Sequence, residues 1–223
     1  MTNIAFIPVR GGSKSIPLKN IKLLLGKPLV YWTAKAANDA KCIDKVIIAT
    51  DSDEIKNVVK DFEFDKVEIY NRKEENAQDT SSTESVMLEY LEFVKLNNSD
   101  NFFLIQATSP LLKSIHIEQM YEKMKKDGAN SALSCVNTKR FFWTKDGKSL
   151  NYDYKNRPRR QEFEGLMMEN GACYINSVGN ISNDKNRLSG KISVYPMPEY
   201  TAVEIDEPDD FLLVENLMKK YNE

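Results

Sequence analysis

Histidine, cysteine and long apolar runs are what this chain has least of. Its 223 residues include one histidine and three cysteines. Cys42, Cys135 and Cys173 are odd in number, far apart and set in apolar surroundings. That pattern argues against a disulfide framework and against a zinc site, and the three are read as buried thiols. His116 lies between Ile115 and Ile117 at an expected helix start, so it is read as structural and given no catalytic role. No apolar stretch approaches the roughly 20 residues that span a bilayer. The chain passes from Met1 straight into a short apolar run, without a charged leader or cleavage site, so a cytoplasmic protein is expected. Excess charge of one sign is missing too. Lys and Arg number 31 against 33 Asp and Glu, a net charge of -2, which gives no general reason to expect a nucleic-acid or membrane partner. Any anion site must be local. No internal repeat and no low-complexity linker is visible.

What is present is the composition of a soluble globular protein, 41% hydrophobic and 29% charged. The length fits one α/β domain over residues 1–223, able to bury roughly 70 per cent of its unfolded surface. The apolar run Ile4 to Val9 stops at Arg10-Gly11-Gly12-Ser13-Lys14-Ser15-Ile16-Pro17-Leu18-Lys19-Asn20. Such a run reads as a buried parallel strand feeding a loop at its carboxyl end, where open α/β sheets bind ligands. Arg10, Lys14 and Lys19 place three cations beside two glycines whose missing Cβ atoms let backbone N–H groups approach an anion. Neither the Walker A pattern nor the dinucleotide fingerprint fits. A solvated basic turn is the competing local reading.

Downstream, apolar periodicity predicts a helix from Pro28 to about Ala40, a strand over Lys45–Thr50, and a helix starting at Asp51-Ser52-Asp53. Strands follow at Val67–Tyr70, Phe102–Ile105, Ser131–Val136, Cys173–Asn176 and Ile192–Tyr195. The polar stretch Asn76–Ser85 leads into a helix, with Asp79 or a nearby Ser or Thr as its cap. This alternation implies a doubly wound, mostly parallel, Rossmann-like sheet. Residues 138–171 mix Phe141, Phe142, Trp143, Tyr152 and Tyr154 with Lys139, Arg140, Arg157, Arg159 and Arg160. A nucleic-acid surface would share that mixture, but the acidic balance favours an exposed excursion for dimer contact and site closure.

Near the carboxyl end, Val203-Glu204-Ile205-Asp206 alternates apolar and acidic residues, so in a strand both carboxylates share a face. Mg²⁺ is commonly held by one or two carboxylates with substrate phosphates. Alternatively, Asp206 caps a helix that begins near Pro208. Spacing does not separate these readings.

Arg10, Ser13, Lys14, Pro17, Lys19 and Asn20 follow R-x-x-S-K-x-x-P-x-K-N, which resembles the signature of the CMP-sialate synthetase (acylneuraminate cytidylyltransferase) family. The resemblance continues in order through Ala77-x-Asp79-Thr80 and Leu104-x-Gln106-x-Thr108-Ser109-Pro110-Leu111. Arg160-Gln161 comes next, with Asn170-Gly171-Ala172-x-Tyr174-Ile175-Asn176, and Ile205-Asp206 is last. The resemblance implies transfer of CMP from CTP to the anomeric hydroxyl of a nine-carbon 2-keto acid sugar of sialic, legionaminic or pseudaminic type, with release of pyrophosphate. A homodimer, with the insertion reaching over the neighbouring site, is also implied.

By position, the resemblance has Arg10, Lys14 and Lys19 holding the triphosphate and carrying catalysis, within a nucleotide loop that includes Gly11, Gly12, Ser13 and Asn20. Arg72 and the loop from Asp79 through Ser81 to Thr83 would contact cytosine and ribose. Gln106, Arg160 and Tyr174 would face the sugar, and Asp206 with Glu204 would hold Mg²⁺. Three positions depart from the pattern: Glu204 replaces the first Asp of an acidic pair, Thr83 a Ser, and Leu112 an Arg. A cytidylyltransferase for an eight-carbon keto acid and a non-enzymatic nucleotide-binding module are the alternatives.

Overall fold

From Asn3 to Pro8 the side chains divide between two apolar cores, Ala5 and Ile7 in one, Ile4 and Phe6 in the other. A strand buried on both faces has to lie inside a sheet covered by helices on each side. The structure, a computed structural model, describes residues 1–13, 15–78 and 80–221. In chain order its elements are β1 Asn3–Pro8, β2 Leu23–Leu24, β3 Lys27–Pro28, α1 Leu29–Asp39, β4 Lys45–Thr50, α2 Asp53–Lys60, β5 Val67–Asn71 and α3 Thr83–Phe93. Then come β6 Asn101–Ile105, α4 Ser114–Lys126, β7 Ser131–Thr138, β8 Leu166–Ser177, α5 Val178–Asp184, β9 Ile192–Met197 and α6 Pro208–Tyr221.

Seven strands form one sheet in the order β5-β4-β1-β6-β8-β7-β9. Only β8 runs against the others, pairing antiparallel with both β6 and β7. Helices α1, α2 and α4 pack on one face and α3 and α5 on the other. The doubly wound, mostly parallel α/β fold expected from the sequence is therefore the fold observed. Serines start several helices: Ser52 accepts from the Ile55 N–H and Ser82 from the Ser85 N–H, each satisfying a donor the first helical turn leaves open.

A third apolar cluster joins Ile16, Leu24 and Leu29 to Ile205, Phe211, Val214 and Met218 of the carboxyl end. It seats α6 and the segment before it against the first loop. No strand forms at residues 203–206. The segment is extended, but its backbone makes a single ladder-like bond, Ile205 N–H to the Thr108 carbonyl at 2.9 Å, and it has no neighbouring strand to complete a ladder. The expected short strand at Cys173–Asn176 is instead the second half of β8, a strand of 12 residues. Its first half pairs with the end of β7, so the excursion between them grows from a two-stranded stem. Cys135 and Cys173 are buried, whereas Cys42 is half-buried. Burial pushes the thiols of Cys42 and Cys135 up to about 11 and that of Cys173 higher still. No helix among the described residues is long and apolar enough to cross a membrane.

His116 sits buried in the first turn of α4, where its Nδ1 accepts from the Lys113 N–H at 3.2 Å. Desolvation, helped by the Lys113 charge, lowers its pKa to about 4. The unfolded imidazole takes up its proton near pH 6.5, so between those values the unfolded chain binds more protons and stability falls as pH falls. The slope from this residue reaches at most about 1.4 kcal/mol per pH unit. His116→Gln, which still offers an acceptor to the Lys113 N–H, is expected to remove that slope. Urea unfolding of both proteins between about pH 7 and pH 4.5 tests this, and an unchanged slope in the variant would reject it.

Candidate active site

The strand order reverses between β1 and β6, and at that reversal, beyond the carboxyl ends of the strands, a crevice is expected. A cleft of about 390 Å³ opens there. Pro8 and Arg10 enter it from the end of β1, Arg72 from the end of β5, and Gln106, Ala107 and Thr108 from the end of β6. Ser13, Lys19 and Asn20 supply the first-loop wall, and Gln78 with Ser81, Ser82, Thr83 and Val86 the wall at the start of α3. Glu204 and Asp206 close the remaining side.

Lys19 is the junction of this site. Leu18, just before it, is left-handed with φ 51° and ψ 34°, a conformation that costs a residue with a Cβ about 1–2 kcal/mol. The Lys19 ammonium donates to the Ile205 carbonyl at 2.8 Å and to Asp206 Oδ1 at 3.1 Å. Ser15 Oγ donates to the Asp206 carbonyl at 2.5 Å, and Asn20 Nδ2 to the Arg10 carbonyl at 3.1 Å. These bonds tie the basic loop to itself and to the carboxyl end.

Gly11 is a glycine for a reason other than the expected one. Its N–H donates to Asp51 Oδ1 at 3.2 Å, and a Cβ there would meet Ser52 Cβ at 2.8 Å. It packs against the start of α2 and, like Gly12, does not line the cleft.

Arg72 is buried, yet it lines the cleft. One guanidinium N–H₂ donates to the Asn76 carbonyl, while Nε has no hydrogen-bond partner among the described residues. Desolvation lowers its pKa, opposed by the charges of Asp51 and Glu89. A buried donor without an acceptor costs on the order of 1–3 kcal/mol, and an acceptor brought by a ligand removes that cost.

Across the cleft, the alternation at 203–206 works without a strand. Ile205 is buried in the third core while Glu204 and Asp206 face the opening. Desolvation, reinforced by the charge of Asp206, raises the pKa of Glu204. Gly171 has φ +66°, and a Cβ there would sit 2.6 Å from Glu204 Oε1, so the bulge that it occupies in β8 is shaped around that carboxylate. The first turn of α6 is covered by Asp210, whose carboxylate accepts from the N–H groups of Asp206 and Glu207 at 2.9 and 2.7 Å. Capping thus falls to Asp210, leaving the Asp206 side chain on Lys19. No cluster of three His, Cys, Asp or Glu residues that could hold a metal exists among the described residues. Two carboxylates beside a basic loop suit a hard cation completed by phosphate oxygens, and not an all-protein cage.

Other expected site residues lie apart. Arg160 is exposed on the excursion, 3.3 Å from Glu199. Tyr174 is buried in the core beneath α3 and α5, its hydroxyl donating to Glu169 and its ring under Arg187. Lys14 and Asp79 lie outside the described residues. Sequence reasoning assigned no role to Thr108 and Gln78, which line the cleft. The polar loop after β6 and the serine-rich helix start were the available signals.

The profile of the cytidylyltransferase family matches residues 4–208. The chain belongs to the cytidylyltransferase family. N-acylneuraminate cytidylyltransferase of Oncorhynchus mykiss is 39% identical over 226 residues, covering 97% of this chain and 50% of the fish protein. N-acylneuraminate cytidylyltransferase B of Danio rerio is 36% identical over 225 residues, covering 97% of this chain and 51% of its own. The chain thus spans about half the length of these curated relatives. Among solved structures, CMP:2-keto-3-deoxy-manno-octonic acid synthetase complexed with CTP superposes with TM-score 0.70 over 99% of each chain at 18% identity, a likeness of fold.

In this member of the cytidylyltransferase family, Gly171→Ala is expected to cost about 1–3 kcal/mol, because a Cβ strains the left-handed backbone and strikes Glu204. Urea denaturation measures the loss; a variant as stable as the parent would refute the claim that the bulge needs glycine.

Proposed function

We propose that this protein transfers CMP from CTP to the anomeric hydroxyl of a nine-carbon 2-keto acid sugar and releases pyrophosphate. The observation that carries the reading is one cleft, in a cytidylyltransferase-family fold, that brings Arg10, Lys19 and the buried Arg72 together with Glu204 and Asp206. The N-acylneuraminate names of the relatives at 36–39% identity support the choice of sugar class.

On this reading Arg10 and Lys19, with Lys14 from the same loop, hold the triphosphate. Lys19 lies nearest the α-phosphate, and Ser13 and Asn20 shape the loop around it. Arg72 with Ser81 and Thr83 faces the cytidine, and Gln106 the sugar. The anomeric oxygen attacks the α-phosphorus, the bond from that phosphorus to the α,β-bridging oxygen breaks, and pyrophosphate leaves with the electron pair. The hydroxyl proton passes to water. Alignment and neutralisation of charge carry such transfers. Asp206, helped by Glu204, would hold Mg²⁺, which supplies charge neutralisation on the phosphates. Lys19 keeps Asp206 oriented at the cleft until the nucleotide arrives.

We propose further that the excursion, whose Trp143, Tyr154 and Met167 are exposed, packs on a second copy and carries Arg160 to that copy's sugar. Three cysteines without disulfides fit a cytoplasmic setting.

The test is pyrophosphate release from CTP and Mg²⁺ with a panel of nine-carbon and eight-carbon keto sugars; no release with any nine-carbon sugar would overturn the assignment. Lys19→Ala should lower turnover on the order of 10²- to 10³-fold with the fold retained, and near-parental turnover would remove Lys19 from the mechanism. Asp206→Asn should stay nearly inactive at every Mg²⁺ concentration. Full activity there would remove Asp206 from the metal site and leave only its contact with Lys19.

A further inference from the structure

We propose that Glu89 is a positioning residue for the nucleotide end of the cleft, acting through Asn76 on Arg72; this rests on the reading of that cleft as a CTP site. Glu89 lies within α3 and is buried, with 5% of its surface exposed. A buried carboxylate is costly unless several donors meet it. Three do, and all come from the segment that carries Arg72. Oε1 accepts from the Tyr70 hydroxyl and from the Lys73 N–H, each at 2.8 Å, and Oε2 accepts from Asn76 Nδ2 at 2.6 Å. Residue 76 is held at both ends, because its carbonyl in turn accepts from the Arg72 guanidinium. Arg72 N–H donates to the Thr50 carbonyl at 3.1 Å, so the main chain of Arg72 is fixed by β4 and its side chain by Asn76.

The carboxylate does not line the cleft and touches no substrate position. Its pKa is lowered: burial works against ionisation, and the bonds from Lys73, Asn76 and Tyr70 outweigh it. It therefore stays ionised at neutral pH as the acceptor that closes the turn from residue 70 to residue 76. Without that charge the turn loses its common anchor, and the Arg72 side chain that lines the cleft is no longer held by a fixed Asn76 carbonyl.

Glu89→Gln keeps the shape but replaces one acceptor oxygen by an NH₂ that opposes a donor. Loss of a charge-assisted bond predicts a KM for CTP raised about tenfold, with kcat and the KM for the sugar within about twofold. Asn76→Ala, which leaves Glu89 its bonds to Tyr70 and Lys73, should shift the same constant in the same direction. Glu89→Asp, which restores the charge at shorter reach, should recover part of the loss. Amide exchange over residues 70–77, measured without nucleotide, should quicken in Glu89→Gln. A wild type that turns over while both variants keep its KM for CTP would overturn the positioning role and leave the assigned reaction standing. A lowered apparent kcat with both KM values unchanged, tracking lowered thermal stability, would reduce Glu89 to a structural anchor. A wild type without turnover, whose exchange over 70–77 still depends on Glu89, would sink the assigned reaction and keep the anchoring of Arg72.

Discussion

The cleft depends on one packing event, the seating of Ile205 and α6 against the apolar side of the first loop. Ile205, Leu24, Leu29, Val214 and Met218 are almost wholly excluded from water, and full burial of one such side chain contributes about 1.5–3 kcal/mol. The Lys19 to Asp206 pair, with its carboxylate largely in solvent, is worth about 0–1 kcal/mol. Apolar contact therefore brings the two ends of the chain together, and the ion pair only sets the angle at which they meet. Polar chemistry at this site rests on a hydrophobic hinge point.

Charge is distributed within the cleft in the same spirit. The molecule is nearly neutral, yet cations gather on the first loop and behind β5 while two carboxylates gather opposite. Neither group is left to repel itself. Asp51 and Glu89 offset the burial of Arg72, while burial, reinforced by the charge of Asp206, raises the pKa of Glu204. A polyanion and a divalent cation entering together would relieve both sides at once.

Much of this was legible in the sequence. Apolar runs and serine caps located every strand of the parallel core, because those signals are local. The basic loop and the alternating acidic pair were legible for the same reason, and the faces they present match the alternation. What escaped was set by contacts between distant residues. Gly11 reads as an anion-binding glycine, but Ser52, forty-one positions away, is what excludes its Cβ. Glu89 belongs to no motif in the sequence, and only the fold shows three donors converging on it. Tyr174 carries the right motif yet points into the core, since strand alternation on β8 decides its face. The extension of β8 toward Leu166 was hidden because Leu166-Met167-Met168 lacks the alternation of a half-buried strand.

The order in which the walls appear along the chain has a consequence for biosynthesis. Arg10 and Lys19 leave the ribosome early, but their counterparts at 204–206 come after every strand of the sheet. Until then the basic loop has neither the Ile205 carbonyl nor the apolar bed of α6 to rest on. A growing chain that has not yet reached residue 204 thus carries the basic loop without the wall that faces it, and the cleft is incomplete.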